Sequence, residues 1–170
     1  AYNALDAVRV LQGDRPLFLP TNGGREVIYT YLQALVLSML GTSVYAMRFA
    51  SALLGWLTVG MSFFLVRTLF RQPDLASHRG REAILVGLLT AAFTATSYWH
   101  LHFSRYGIRA ISLPLLQVLL YCAFWEGLRT KHMGWWLAAG ILLGLGPYTH
   151  PAGRFLPFII TAFVLYKLAT

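Results

Sequence analysis

The chain has 170 residues, of which 57% are hydrophobic and only 12% are charged, whereas an ordinary soluble domain carries about 25% charged residues. This composition predicts a membrane protein. The net charge of +8 does not indicate nucleic-acid binding, because the basic residues stand singly at the ends of apolar runs and form no patch with interleaved aromatics. The one cysteine, Cys122, excludes a disulfide framework within these residues.

The first 47 residues are predicted to form a segment on the outer face of the membrane with two short juxtamembrane helices. Residues 5–12 form the first. The apolar run 27–40 forms the second, which is too short to span comfortably, and Tyr29, Tyr31 and Gln33 make it amphipathic. It is therefore predicted to be interfacial or re-entrant. The opening residues have neither a basic n-region nor a hydrophobic h-region, so we expect no signal peptide and a start within a longer protein.

Residues 48–170 are predicted to form a transmembrane helix bundle. A helix needs about 20 residues to cross the hydrocarbon core, and lipid offers the backbone no other hydrogen-bond partner. The apolar runs that suggest crossings are 49–70, 83–99, 110–128, 133–148 and 155–169. The predicted fold class is therefore an all-α polytopic membrane protein, with about five transmembrane helices in a single domain.

The loops 71–81 and 129–132 concentrate basic residues, which predicts that they face the cytoplasm. Their basic residues are Arg71, Arg79, Arg81, Arg129 and Lys131. A count of basic residues over the whole chain would not choose an orientation, because seven arginines fall on the other side. Those arginines need another explanation, and an anionic lipid phosphate at the outer face would suit their planar, permanently charged guanidinium groups.

Several strings resemble one family of membrane enzymes. They are ALDAVRVLQGDRPLFLPTNGGREVIYTYLQALVLSMLG and MRFASALLGWLTVGMSFFLVRTLF, followed in the same order by SYWHLHFSRYGIRAISLPLL and LLGLGPYTHPAGRFLP. Together they resemble the GT-C membrane glycosyltransferases, in the bacterial branch related to protein O-mannosyltransferases and the aminoarabinose transferase of lipid A. The likeness covers nearly the whole chain, although none of the strings alone is diagnostic of catalysis.

The resemblance implies transfer of a sugar from a polyprenyl-phosphate donor to an acceptor at the outer face of the cell membrane. Such a reaction needs a carboxylate to activate the acceptor hydroxyl and cations to stabilise the leaving phosphate. The family's central Asp-Glu pair normally stands just before the segment that begins here with AYNALDAVRV. The principal catalytic aspartate is therefore expected upstream of Ala1, and residues 1–170 alone are expected to be inactive. The donor sugar and the acceptor stay unassigned.

The resemblance also bears on metal use. Some family members carry an aspartate at the position of Ala110, and alanine here puts a metal-assisted mechanism in doubt. A divalent cation, Mg²⁺ or Mn²⁺, stays open as a cofactor, and no residue is assigned as a metal ligand.

Two pairs of residues are the first candidates for binding the donor. Arg25 and Glu26 follow the turn Asn22-Gly23-Gly24, which would present them at the bilayer surface; the alternative is a helix start with Glu in its first turn. Arg105 and Arg109 are four residues apart, so we expect them to share a helix face and hold a phosphate. The alternative for these two arginines is snorkelling at the end of a span.

Two further pairs are weaker candidates. His100 and His102 are expected to alternate across a short extended loop and line the site, or else to be ordinary polar termini of a span. His150 and Arg154 flank Pro151 at the outer end of a helix and could contact the donor phosphate.

Two other charged features are expected to have no catalytic role. Asp6 is predicted to be a solvated helix residue, not a replacement base. Glu126 and Arg129 are predicted to form an i, i+3 pair at the cytoplasmic boundary.

A multi-pass transporter or lipid flippase, and a non-catalytic membrane subunit, are the competing function classes. A transporter would place ionisable groups at mid-membrane and break its helices there. The runs 83–98 and 111–125 contain no charged residue, which favours the enzyme. An Asp-Glu pair upstream would support the enzyme, and its absence would support the other two classes.

Overall fold

The structure is a computed structural model that describes residues 2–19, 25–70 and 78–169. These residues form eight α-helices and no β-strand. The helices are α1 (Tyr2–Leu11), α2 (Ile28–Leu40), α3 (Val44–Leu69), α4 (His78–Thr96), α5 (Tyr98–Tyr106), α6 (Ser112–Thr130), α7 (Met133–Leu145) and α8 (Leu156–Ala169). Short 3-10 turns lie at Arg109–Ile111, Gly146–Tyr148 and Pro151–Phe155. The predicted all-helical class is confirmed for this part of the chain.

Helix α3 is the centre of the bundle, because α2, α4, α5 and α6 all pack against it. The Ser43 side chain caps its start by accepting a hydrogen bond from the Ala46 N–H at 3.1 Å. The buried face of α3 is built mainly of small residues, which let neighbouring backbones approach closely. That face consists of Ala46, Ala50, Ser51, Leu54, Gly55, Thr58 and Ser62.

Two helical segments, Val44–Leu69 and Arg109–Thr130, are long and apolar enough to cross a membrane. A third crossing exists if α4 and α5, which are bent by 57° relative to each other, count as one span. Helices α7 and α8 have 13 and 14 residues, about 20 Å each, against the roughly 30 Å of a hydrocarbon core. The prediction of about five crossings is therefore not supported, and the described residues provide two or three.

The predicted number of crossings was too high because some apolar runs in the sequence are longer than the helices that they form. The run 133–148 stays apolar to its end, but its α-helix stops at Leu145, and Pro147 lies in a 3-10 turn. Proline lacks the N–H that would continue the ladder of hydrogen bonds. The run 83–99 is interrupted at Ser97, between α4 and α5.

The predicted short N-terminal helices are present as α1 and α2, while the predicted loop 71–81 was partly wrong. Arg79 and Arg81 lie within α4. Residues 71–77 are outside the described residues. The interfacial position of α2 and the orientation in the membrane stay predictions.

One end of the bundle gathers the elements that carry most of the candidate residues. Here α1 packs on α2, and both pack near the start of α3, around Ala7, Ala34, Leu37, Ala46 and Ala50. Helix α5 and the Arg109–Ile111 turn contact the same part of α3. We call this region the polar end, because it contains the buried charges described next.

Candidate functional site: two ion pairs at the polar end

The first ion pair joins α1 to the segment before α2. Arg25 Nη2 lies 2.6 Å from Asp6 Oδ2, and Arg25 Nη1 donates to Asn3 Oδ1 at 2.7 Å. Both charged side chains are buried. The Arg25 backbone is held as well, because it exchanges two hydrogen bonds with Leu19, at 2.8 and 3.0 Å. Arg9 lies at the edge of the pair, with Nη1 3.7 Å from Asp6 Oδ1.

The prediction that Asp6 is a solvated residue was wrong. Helix α1 turns one face toward α2, and Asp6 lies on that face beside the buried Ala7. The sequence did indicate that Asp6 is packed. A helix buries residues spaced i, i+3, i+4 and i+7 on one face, and these positions are Asn3, Asp6, Ala7 and Val10. A carboxylate on such a face needs a cationic partner, and Arg25 supplies it.

The second ion pair joins the start of α2 to the start of α6. Arg109 Nη1 lies 2.8 Å from Glu26 Oε2, and the side chains are 24% and 5% exposed. The contact lacks hydrogen-bond geometry, because neither atom has a hydrogen-bond partner within the described residues. Arg25 and Glu26 are thus adjacent in sequence but pair in different directions. The turn Asn22-Gly23-Gly24, predicted to present them, lies outside the described residues.

The position of Arg109 depends on a turn at Gly107. This glycine has φ +73°, a left-handed conformation that favours glycine, and it ends α5. A Cβ at Gly107 would lie 3.7 Å from both Ser51 Oγ and Tyr29 Oη, so the turn packs closely on α2 and α3. Arg109 follows in the 3-10 turn that leads into α6.

The prediction that Arg105 and Arg109 share one helix face was therefore wrong. Arg105 lies in the last turn of α5 and is exposed. Arg109 lies beyond the turn and is paired with Glu26. The spacing of four residues places two side chains on one face only if the helix continues between them, and here Gly107 ends it.

A buried polar contact missed by the sequence analysis lies beside these pairs. Tyr29 Oη and Ser51 Oγ are 2.5 Å apart and form a hydrogen bond between α2 and α3. Burial raises the pKa of the Tyr29 hydroxyl above its usual value, and the Ser51 hydrogen bond opposes part of that rise. One turn along α2, Gln33 Nε2 donates to the Met47 carbonyl oxygen at 3.3 Å. The spacing of Tyr29 and Gln33, four residues apart on an otherwise apolar helix, could have indicated that both face a polar contact.

The two histidines lie on a helix, not on the extended loop that was predicted. His100 Nε2 lies 3.1 Å from the Gly55 carbonyl oxygen and so joins α5 to α3. The His102 ring points to another face of α5, where its centroid lies 5.8 Å from that of Tyr98 and 4.6 Å from that of Tyr106. Their contacts are thus with α3 and with aromatic rings, and the structure does not bring them into the two ion pairs.

His150 and Arg154 lie in the turn after α7. His150 Nδ1 accepts a hydrogen bond from the Ala152 N–H at 3.3 Å and caps the Pro151–Phe155 turn. Arg154 is exposed. Thr149 reaches the polar end, where it lines a cavity of about 150 Å³ together with Tyr29 and Ser112. The structure does not bring His150 and Arg154 to the ion pairs.

No group of three or more His, Cys, Asp or Glu side chains in the described residues could hold a metal ion. We therefore assign no metal ligand, and the use of Mg²⁺ or Mn²⁺ stays untested.

Comparison with known protein families, with curated proteins and with solved structures finds no match for this chain. The resemblance to GT-C glycosyltransferases therefore depends on the quoted sequence strings alone.

The geometry limits what each charged group can do. Asp6 and Glu26 are both buried and both face an arginine, so each carboxylate stabilises a cation. Arg109 is the most exposed member of the two pairs, and no hydrogen bond from its side chain is found within the described residues. An anion that approached the polar end would therefore meet a guanidinium group that is already oriented and has donors to offer.

Proposed function

We propose that this chain is part of an integral-membrane glycosyltransferase of the cell membrane. The enzyme transfers a sugar from a polyprenyl-phosphate donor to an acceptor at the outer face. The observation that carries the proposal is the Glu26–Arg109 ion pair, in which a buried carboxylate holds a partly exposed arginine. Ionisable groups are costly within membrane-spanning bundles and are usually retained for function.

Arg109 would bind the donor phosphate. As the sugar leaves, negative charge develops on the phosphate oxygens, and a positioned guanidinium stabilises that charge through its planar fork of N–H donors. Glu26 keeps the arginine in place through one of its guanidinium nitrogens, Nη1. Arg25 would have an indirect role, since its guanidinium is engaged by Asp6 and Asn3.

Neither buried carboxylate is assigned as the base that activates the acceptor. Asp6 and Glu26 each lie within 3 Å of an arginine nitrogen, so both carboxylates are already engaged in pairing with arginines. We propose that both residues position arginines and that another carboxylate of the enzyme performs general-base catalysis.

The break between α4 and α5 is the observation that favours the alternative, a transporter or flippase, since transporters break helices at their binding sites. In that fold class the break lies near the midplane. Here the apolar part of α4, residues 83–96, covers about 21 Å before the break, more than half of the roughly 30 Å core. The buried charges also lie at one end of the bundle, a position that suits a site at the membrane surface.

A binding experiment tests the phosphate role. The complete protein in detergent is heated with polyprenyl phosphate or with the polyprenol of the same chain length, and the unfolding temperature is recorded. A ligand that binds the folded state raises that temperature. We expect polyprenyl phosphate to stabilise the wild type more than polyprenol does, and Arg109→Gln to remove the difference. Equal effects of both lipids on the wild type would refute phosphate recognition.

Binding alone does not separate an enzyme from a flippase. Release of radiolabelled sugar from the polyprenyl-phosphate donor does, because only the enzyme breaks the bond between sugar and phosphate. Movement of intact donor across a vesicle membrane without sugar release would instead support the flippase.

A further inference from the structure

Helix α5 continues from the apolar helix α4 but leaves its direction. Only Ser97 separates it from α4, and the two axes differ by 57°. If the apolar residues 83–96 of α4 cover about 21 Å, roughly 9 Å of hydrocarbon remain above them. The nine residues of α5, inclined by 57°, rise by about 7 Å. The helix therefore lies obliquely in the outer part of the hydrocarbon core and ends about 2 Å from its boundary.

The two sides of α5 have different surroundings. One side packs against α3, where the Ser104 side chain is buried and a Cβ at Gly55 would lie 2.6 Å from Ser104 Cβ. The other side carries Tyr98, Trp99 and Tyr106, which are 71%, 67% and 65% exposed. With His102 these residues form what we call the aromatic face of α5.

This face fits one partner chemically. Tyr and Trp concentrate at the boundary between hydrocarbon and headgroups, because their rings prefer the apolar side and their O–H and N–H groups the wet side. Arg105 borders the aromatic face and is exposed, and α5 contains no acidic residue. A cation beside an aromatic face favours anionic headgroups.

We infer that α5 lies obliquely at the outer edge of the hydrocarbon core, with its aromatic face against lipid near the headgroup boundary and Arg105 toward anionic lipid phosphates. The direct continuation from α4 supports this choice over a protein partner, because it carries the face to the membrane boundary. The inference does not depend on sugar transfer.

Depth measurement by electron paramagnetic resonance tests it. Single nitroxide labels are placed through Trp99→Cys, Tyr106→Cys or Arg105→Cys in the full chain, after Cys122→Ala, in phosphatidylcholine vesicles containing phosphatidylglycerol. Collisions with oxygen, which dissolves in lipid, are compared with collisions with a water-soluble nickel chelate. Trp56→Cys, on the exposed side of the spanning α3, gives the deep reference.

We expect the labels at Trp99 and Tyr106 to report depths between those at Trp56 and Arg105. The ratio of oxygen collisions to chelate collisions should also be several-fold higher at these two labels than at the label on residue 105. If both aromatic-face labels matched the aqueous accessibility of Arg105, the face would lie in water. If neither reagent reached them, protein would cover the face. Either result would overturn the inference.

Discussion

Two arginine–carboxylate pairs, Asp6–Arg25 and Glu126–Arg129, use the same chemistry but differ in burial and in sequence separation. The first joins residues 19 positions apart, and its side chains are 4% and 6% exposed. The second is the predicted i, i+3 pair within α6, with side chains that are 12% and 40% exposed. The first pair fixes how α1 meets the segment before α2, whereas the second closes within one helical turn. Burial and sequence separation, more than the residue types, decide what an ion pair does.

Their expected energies differ accordingly. Removing one partner of a buried pair leaves an uncompensated charge in a poorly solvated site and costs about 3–5 kcal/mol. The second pair should contribute less, about 0–1 kcal/mol, because its arginine is 40% exposed and already solvated by water. The polar end should therefore be sensitive to single substitutions, and the Glu126 end of α6 tolerant of them.

The largest effect is expected for Asp6→Asn. The substitution keeps the shape of the side chain but removes the carboxylate that lies 2.6 Å from the buried Arg25, so the free energy of unfolding in detergent should fall by about 3–5 kcal/mol. The double variant Asp6→Asn/Arg25→Gln removes both charges of the pair and should recover part of the loss. A loss below about 1 kcal/mol for Asp6→Asn would place this pair with the exposed ones.

The next effect concerns the contact between α3 and α5. Gly55→Ala would place a methyl group 2.6 Å from Ser104 Cβ, so the helices must separate, at a cost of about 1–3 kcal/mol. Gly60 on the same helix is the matched control, because a Cβ there meets no atom within 4 Å. Thermal unfolding of both variants checks the difference. Equal unfolding temperatures would mean that α5 does not pack on α3 as described.

A smaller loss is expected for Tyr29→Phe, which leaves Ser51 without its partner across α2 and α3. The hydrogen bond should contribute about 1 kcal/mol to stability.

The same variant tests the raised pKa of Tyr29. An acid whose pKa is raised in the folded state stabilises the protein below its unfolded pKa, 10.0, and that stability is lost as the pH rises through the folded pKa. The stability difference between wild type and Tyr29→Phe should therefore shrink above about pH 10. A difference that stayed constant from pH 8 to 11 would contradict burial of this hydroxyl.

The smallest effect is expected for Glu126→Gln at the partly exposed pair. Its unfolding free energy should differ from wild type by less than about 1 kcal/mol. A loss comparable with that of Asp6→Asn would remove the contrast between the two pairs.

The sequence predicted the all-helical class and the central parts of the helices α3 and α6. A long apolar run can satisfy its backbone hydrogen bonds in lipid only as a helix or in a closed barrel. The sequence overcounted crossings because hydropathy does not reveal where a helix stops, as at Pro147 and Ser97. It selected Arg25, Glu26 and Arg109, of which Glu26 and Arg109 form one ion pair and Arg25 pairs with Asp6. It could not assign their partners, because Asp6 and Arg109 reach them only through tertiary packing and the turn at Gly107.

The most direct test of the proposed function is sugar release by the complete protein carrying Arg109→Lys. Lysine keeps the charge but loses the planar fork that can hold a phosphate. If Arg109 stabilises the leaving phosphate, the rate should fall by about a hundredfold at equal membrane expression. Arg48→Lys, an exposed arginine near the same end of α3, should stay near the wild-type rate. Activity of Arg109→Lys within about twofold of wild type would contradict the assignment of Arg109 to the donor phosphate.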